Sequence, residues 1–195
     1  MRRKPCFKKL AGVEYEVLPG VYKGSTDSEL MCQSLGPLKG RDVWDVGTGT
    51  GIIALKAKKS GARYVLATDL NPYAVINARK NALRLDLNIQ VRKADVFGSI
   101  HAKFDIITFN PPFTDRVAKR AHEISFWDAD NRSTKDFFGG VRDHLKKNGR
   151  TLIGWSSFGK VRTLKAIADR YGFTLREAAR RKGKRGFVYY IFVIE

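Results

Sequence analysis

The stretch Asp45-Val46-Gly47-Thr48-Gly49-Thr50-Gly51 follows an apolar run and carries three glycines at alternate positions. Glycines let the chain turn sharply at the end of a strand and let a ligand approach the main chain closely. Residues 50–60 fit a helix, and the N-terminus of that helix would then point at the ligand. The stretch therefore predicts a strand, a loop for a nucleotide-type cofactor, and a helix.

Two acidic residues follow the next two predicted strands. The strand Tyr64–Asp69 ends in a carboxylate that can accept hydrogen bonds from ribose hydroxyls. Asp95 follows a strand over 88–94 and is placed to meet an adenine amino group. The glycine pattern alone also occurs in dinucleotide enzymes, and Asp69 alone could be a helix cap. The loop and both acids together favour a cofactor that contains adenosine.

Strand-like and helix-like segments alternate along the whole chain. Such alternation predicts an α/β domain with a mostly parallel sheet and helices on both faces. We expect one Rossmann-like domain over residues 1–195, with a basic N-terminal extension over 1–18. The predicted strands cover residues 42–46, 64–69, 88–94, 104–109, 151–155, 173–179 and 187–194. The predicted helices cover residues 27–35, 50–60, 72–86, 134–147 and 160–171. The first of these helices has a capping-box spacing, Thr26 with Glu29.

A second motif, Asn110-Pro111-Pro112-Phe113, follows the predicted strand Phe104–Phe109. An amide or aromatic amino nitrogen is a poor nucleophile because its lone pair is delocalised. The Asn110 side-chain oxygen and the Pro111 carbonyl can hold such an NH2 group with its lone pair aimed at a methyl donor. The prolines stiffen the turn, and Phe113 can stack on a planar group. The motif predicts methyl transfer to nitrogen, and the alternative is an ordinary proline-rich turn.

The first set of motifs resembles the class I S-adenosylmethionine-dependent methyltransferases. Asp45 and the three glycines match the first motif of that family, Asp69 the ribose-binding acid and Asp95 the adenine-contacting position. The resemblance implies a seven-stranded sheet with a reversed last strand and S-adenosyl-L-methionine as cofactor. The cofactor-binding residues that it implies are Asp45, Gly47, Thr48, Gly49, Gly51, Asp69, Leu70, Asp95, Val96 and Asn110.

The tetrapeptide resembles the catalytic motif of N-methyltransferases that act on adenine, on guanine amino groups or on the glutamine amide of release factors and ribosomal proteins. The implied catalytic residues are Asn110, Pro111, Pro112 and Phe113. Residues 20–30 and 127–138 are similar to segments of HemK-type glutamine methyltransferases. Phe113 stands where those enzymes usually carry tyrosine, and their bacterial N-terminal helical domain is missing. A phenylalanine there is common among ribosomal-RNA amino methyltransferases, so the acceptor stays open between a protein glutamine and an RNA base.

The net charge of +18 favours nucleic acid, or an assembly such as the ribosome, as a partner. The expected macromolecular substrate is a release factor or ribosomal protein, or ribosomal or transfer RNA. Basic residues crowd the N-terminus and the segment 180–185 between the last two strands, although either could be a solvated surface. Few aromatic residues stand beside these clusters in sequence, which argues against base stacking. The expected substrate-binding residues are Tyr22, Phe113, Arg132, Arg181, Lys182 and Arg185.

Other classes of function find less support. No apolar run is long enough for a membrane span, so we expect a cytoplasmic protein. The two cysteines and His101, His122 and His144 have no zinc-site spacing, and no metal is predicted. A non-catalytic RNA- or ribosome-binding protein on a methyltransferase fold is the alternative, which the intact glycine loop and Asn110 argue against. The oligomeric state and any helper subunit stay open.

Overall fold

A computed structural model describes residues 6–120, 123 and 125–195 of the chain. The basic residues Arg2, Arg3 and Lys4 of the expected N-terminal extension lie outside these described residues, as does His122.

The described N-terminal segment forms a β-hairpin of two strands, β1 (Cys6–Leu10) and β2 (Val13–Val17). The two residues between the strands both have positive φ, which suits the twist of a tight hairpin. The described part of the extension expected over residues 1–18 is thus a packed element of the fold. Val13 and Tyr15 are buried and alternate with glutamates, a period-2 pattern that would have predicted the second strand.

The other seven strands form one sheet in the order β5-β4-β3-β6-β7-β9-β8. Strand β9 runs antiparallel to both of its neighbours, β7 and β8, and the other pairs are parallel, which confirms the predicted seven-stranded sheet with a reversed last strand. The strands are β3 (Asp42–Val46), β4 (Tyr64–Asp69), β5 (Gln90–Lys93), β6 (Phe104–Phe109), β7 (Leu145–Ser156), β8 (Leu175–Lys182) and β9 (Val188–Ile194).

Helices cover both faces of the sheet, as predicted. Three of them contribute to the apolar core on one face, α1 (Thr26–Ser34), α2 (Ile52–Lys59) and α3 (Pro72–Arg84). The other two pack on the opposite face, α4 (Arg132–Gly140) and α5 (Val161–Arg170). Within the described residues, none of the helices combines the length and apolarity that a membrane crossing requires.

The helix predicted over residues 134–147 is wrong in its extent. Helix α4 ends at the pair Gly139-Gly140, and a short 3₁₀ turn, Val141–His144, leads directly into β7. Glycine lowers helix stability, so two in succession favour an end. The Asn148-Gly149 pair, expected to stop the helix, lies inside β7 instead, where Asn148 adopts a φ of 65°.

Two asparagines on α3 hold the hairpin against that helix. Asn81 accepts a hydrogen bond from the Glu16 amide at 2.8 Å and donates to the carbonyls of Glu16 (2.8 Å) and Thr50 (2.9 Å). Asn77 donates to the Glu16 carbonyl and accepts from the Leu18 amide, both at 2.8 Å. Both asparagine side chains are fully buried. Strand β2 therefore obtains from side chains the partners that a neighbouring strand would normally supply.

We expect Asn81→Ala to destabilise the protein by about 2 kcal/mol or more, because each buried polar group left without a partner costs about 1–3 kcal/mol. Leu83→Ala is the matched control on the same helix. Leu83 is 83% exposed, so its truncation removes little buried surface and should change the stability by less than about 0.5 kcal/mol. Denaturant unfolding of both variants measures the difference. Equal destabilisation by the two changes would contradict this role of Asn81.

Candidate active site

The glycine loop rests on a buried carboxylate at the end of β3. Asp45 is fully buried, and its two oxygens accept hydrogen bonds from the hydroxyls of Thr48 (2.7 Å) and Thr108 (2.8 Å). Burial raises the pKa of Asp45 to about 6, and the charge of Asp69 adds to the effect. Asp45 was expected to bind the cofactor, but it lies beneath the loop and does not line the cavity above it. Its position ties the loop to β6.

Gly51 is also not a lining residue of that cavity. A Cβ atom at this position would lie 3.1 Å from the Cβ atom of Ala78 on α3. The glycine therefore permits α2 and α3 to approach each other, and the expected contact of this residue with the cofactor stays a prediction.

Asp69 links the glycine loop to the end of β4. One of its carboxylate oxygens accepts a hydrogen bond from the Gly49 amide (2.8 Å) and the other from the Asn71 amide (2.9 Å). Burial raises the pKa of Asp69 to about 6, although these backbone donors favour the ionised form. Each oxygen keeps a lone pair for a further donor in the adjoining cavity.

A cavity of 340 Å³ opens above the carboxyl ends of β3, β4 and β6, and we call it the glycine-loop cavity. Open parallel sheets bind ligands at this edge. Most of the residues expected to bind the cofactor line it. They are Gly47, Thr48, Gly49, Asp69, Leu70, Asp95, Val96 and Asn110. Val96 has a φ of 48°, a conformation that β-branched residues rarely adopt and that is found at ligand sites.

Arg132 lies at the glycine-loop cavity and not with the residues expected to hold the acceptor. Its guanidinium binds both carboxylate oxygens of Asp95, at 2.9 and 3.0 Å, and also Asp136 at 2.8 Å. The hydrogen bond to Asp95 is the main cause of the raised pKa of Arg132. The expected adenine-contacting acid and an expected substrate-binding residue thus form one ion pair, because α4 begins beside the end of β5.

Asn110 at the end of β6 has its amide oriented by a buried acid. Its Nδ2 atom donates to an Asp27 carboxylate oxygen at 2.6 Å. Its Oδ1 atom is buried without a hydrogen-bond partner among the described residues. That oxygen lies close to Gly154 on β7, where an added Cβ atom would be 2.2 Å from it. If the amide were flipped, the Oδ1 atom of Asn110 would face the carboxylate oxygen of Asp27, and two hydrogen-bond acceptors would repel each other.

Asp27 is the residue at this site that the sequence reasoning missed. It is 1% exposed and also accepts hydrogen bonds from the hydroxyls of Tyr22 (2.9 Å) and Ser25. The segment was interpreted as a capping box, Thr26 with Glu29, and as part of the stretch 20–30 that is similar to HemK-type enzymes, and neither interpretation gave Asp27 a role. In the structure the helix cap is Ser25, without a side-chain capping bond, and its hydroxyl serves Asp27 instead. An acid at the second position of a short helix gives no sequence signal of this role.

A second cavity of 820 Å³, which we call the aromatic cavity, shares a wall with the first. Tyr22, Asn110, Pro111 and Pro112 line both cavities, whereas Phe113 lines only the aromatic cavity. Other aromatic side chains come to the same cavity from distant parts of the chain: Phe126, Trp127, Phe158, Phe187 and Tyr189. The expectation that few aromatic rings accompany the basic clusters is therefore wrong, because it considered only neighbours in sequence.

The basic residues of segment 180–185 lie in two different places. Lys184 and Arg185 line the aromatic cavity. Arg181 lies on β8, where it pairs with Glu29 (3.0 Å) and donates to Gln33 (2.6 Å) of α1. Lys182 is exposed on the same strand and does not line either cavity. Of the three basic residues expected here to bind substrate, only Arg185 lies at the aromatic cavity, since β8 extends further than predicted.

Comparison with known proteins identifies the family. The model of the methyltransferase small domain matches residues 15–184. A putative protein N5-glutamine methyltransferase of Methanocaldococcus jannaschii is 34% identical over 181 residues, which is 89% of this chain and 91% of the relative. The ribosomal RNA small subunit methyltransferase C of Haemophilus influenzae is 32% identical over 72% of this chain, which spans only 41% of that relative.

Solved structures agree on the fold. The 16S rRNA N2 G1207 methyltransferase of T. thermophilus, determined with AdoMet and guanosine, superposes with a TM-score of 0.74 at 23% identity. The match covers 98% of this chain and 50% of that chain. A methyltransferase of Pyrococcus furiosus gives a TM-score of 0.73 at 20% identity, covering 95% of this chain and 91% of that one. With the family model and the archaeal relative, these results mean that the chain belongs to the methyltransferase small domain family and is an S-adenosylmethionine-dependent methyltransferase.

Proposed function

We propose that this protein methylates a planar NH2 group of a component of the translation machinery in the cytoplasm. The observation that carries the proposal is the shared wall of the two cavities. Asn110, Pro111 and Pro112 border the glycine-loop cavity on one side and the aromatic cavity on the other. A methyl donor and an acceptor bound in separate cavities would therefore meet at the motif whose chemistry suits an NH2 acceptor.

The glycine-loop cavity fits S-adenosylmethionine in size and in chemistry. Its 340 Å³ lies within the range of about 300–1,000 Å³ that is usual for ligand cavities. Asp69 would accept hydrogen bonds from the ribose hydroxyls, and residues 47–49 would allow close approach to the main chain. Asp95 and Val96 would border the adenine. When bound, the cofactor supplies an electrophilic methyl group, and its sulfur keeps the electron pair of the bond that breaks.

Asn110 would hold the acceptor nitrogen. Asp27 accepts a hydrogen bond from the Nδ2 atom of Asn110. The amide oxygen, buried beside Gly154, is then the group that a small movement of the side chain would make available to an N–H group of the substrate. Because a buried oxygen without a donor costs about 1–3 kcal/mol, an N–H group that reaches it gains this energy. The Pro111 carbonyl would accept from the second N–H. With both protons held, the nitrogen lone pair points away from them, and one proton passes to water after transfer.

The general test is transfer of label from methyl-labelled S-adenosylmethionine into macromolecules of an extract from cells that lack this protein. We expect label in macromolecules with the wild-type protein and none with Asn110→Ala. The same result for both proteins would contradict the proposal.

The raised pKa of Asp69 predicts a pH dependence of cofactor affinity. The ionised carboxylate is the better acceptor for ribose hydroxyls, and it is lost as the pH falls through about 6. Affinity for S-adenosylmethionine, measured by calorimetry, should therefore be constant near pH 7 and decrease toward pH 5. Asp69→Asn should bind at least about tenfold more weakly at pH 7, since hydrogen bonds to a charged group contribute about 1.5–3 kcal/mol each.

The Asp69→Asn variant is also the control for Asp45, whose pKa is likewise raised to about 6. The variant retains Asp45, and we expect its affinity for S-adenosylmethionine to be the same from pH 7 down to pH 5. A slope that persists in the variant would assign the titration to another group.

Asn110→Ala should reduce kcat at least about a hundredfold, because one preorganised hydrogen-bonding group is commonly worth 10²–10³-fold. Affinity for S-adenosylmethionine should stay within a few-fold, since Asn110 borders only the end of the glycine-loop cavity that adjoins the aromatic cavity, and the other residues expected to bind the cofactor are unchanged. Single-turnover kinetics and calorimetry separate the two effects. A variant that keeps more than about a tenth of the wild-type kcat would remove Asn110 from the mechanism.

Gly154→Ala tests the position of the Asn110 oxygen without changing Asn110. The added methyl group would come within 2.2 Å of Oδ1, so the amide has to move. We expect kcat to fall at least about tenfold, because a displacement of the Asn110 oxygen by about 1 Å would misalign the acceptor nitrogen with the methyl group. Gly139→Ala is the matched control, because its added Cβ atom makes only an ordinary contact with Tyr171 at 3.5 Å. Equal activities of the two variants would be evidence against this placement.

A further inference from the structure

The walls of the aromatic cavity offer several flat faces to a substrate. Phe113 stands edge-on to Trp155 at 5.7 Å, and Phe158 stands edge-on to Phe187 at 5.1 Å. Phe158 is 56% exposed although it is a large apolar ring, and Phe126 is 45% exposed. Exposed aromatic rings grouped around one opening are a common feature of binding surfaces, not of the bulk protein surface. Their faces are suited to stacking with planar groups.

The charged side chains that line the aromatic cavity are cationic with one buried exception. Five cationic side chains line the cavity, and none of them forms an ion pair with another described residue: Lys8, Lys23, Arg116, Lys184 and Arg185. The only carboxylate among the described lining residues is that of Asp27. It is buried and already accepts hydrogen bonds from Tyr22, Ser25 and Asn110. The field at the opening therefore attracts anions.

We propose that the acceptor is the amino group of an unpaired base in RNA, a proposal that rests on the function proposed above. The base would stack between the aromatic rings with its amino group at Asn110. The flanking phosphates would contact the cations at the opening. Aromatic rings combined with a cationic groove are the usual means of binding single-stranded nucleic acid, because every base has a π-face and every nucleotide a negative charge.

Two features of the cavity favour a base over a glutamine side chain. A glutamine carboxamide is a small group at the end of a flexible aliphatic chain, and it would use few of the rings that surround an 820 Å³ space. A protein substrate would also leave the five cationic side chains of the cavity without partners, unless the loop that carries the glutamine is acidic. Every nucleotide of an RNA substrate supplies a negative charge. The base must be unpaired because in a duplex its amino group is hydrogen-bonded and both of its faces are stacked.

The chemical test starts from the cell extract that this protein has labelled with methyl-labelled S-adenosylmethionine. One half is digested with ribonuclease and the other half with protease. We expect the label to become acid-soluble with ribonuclease and to resist protease, and nucleoside analysis should then find it on an exocyclic amino group. Label that resists ribonuclease and is released by protease would overturn the RNA proposal while leaving methyl transfer to NH2 intact. Absence of label from both fractions would contradict the proposed function itself, and the RNA proposal with it.

The binding test uses a fluorescein-labelled, unstructured RNA oligonucleotide of mixed sequence, with anisotropy as the readout. Lys184→Ser with Arg185→Ser should weaken binding and flatten its log–log salt dependence by about 0.7 for each phosphate that the variant no longer neutralises. Arg180→Ser with Lys182→Ser is the matched control, since it removes the same charge from the same strand–turn region outside the cavity. Equal weakening by the two double variants would indicate attraction by net charge alone and overturn the site.

The aromatic faces are tested separately from the charges. Phe158→Ala should weaken binding of the same oligonucleotide at least about fivefold, because a base–aromatic stack is typically worth this much or more. Tyr73→Ala is the control, since Tyr73 is a similarly exposed ring (51%) on α3 that does not line the aromatic cavity. A duplex RNA of the same sequence should bind more weakly than the single strand. Unchanged binding by Phe158→Ala, or preference for the duplex, would contradict the proposal.

Discussion

One buried carboxylate joins the two halves of the site. Asp45 accepts a hydrogen bond from Thr48 in the glycine loop and another from Thr108 on β6, both inside the sheet where water is excluded. Burial of this acid raises its pKa to about 6, so the protein retains an ionisable group in a costly position. Both hydroxyl donors offset that cost. The loop after β3 and the motif after β6 are thereby held in one geometry, and the two cavities that they line meet at Asn110.

The parts of this arrangement that follow from local rules could be predicted from the sequence. The strands Tyr64–Asp69 and Phe104–Phe109 begin and end where their buried apolar runs predict. The loop between β3 and α2 was predictable because its glycines carry a backbone requirement that few other residues meet. Parallel strands then place every loop that follows them at the same sheet edge, which brings the glycine loop, Asp69 and Asn110 together.

The parts that depend on long-range contacts could not be predicted. The contact between Asp27 and Asn110 crosses 83 residues, and the acid stands in a helix start that explains it equally well. Arg132 binds Asp95 only because α4 and β5 meet in space. The aromatic cavity collects rings that are far apart along the chain, so composition near the basic clusters gave the wrong expectation. The hairpin is the exception, since alternation in Val13–Val17 was a usable local signal.

In the proposed function, the methyl donor lies in the glycine-loop cavity with its reactive end at the wall that Asn110 shares with the aromatic cavity. The most direct measurement is a crystal structure of the protein with S-adenosylhomocysteine. We expect the ribose hydroxyls to bind Asp69, the adenine to lie beside Asp95 and Val96, and the sulfur to be directed toward Asn110. A ligand bound in the aromatic cavity, or one whose sulfur points away from Asn110, would contradict it.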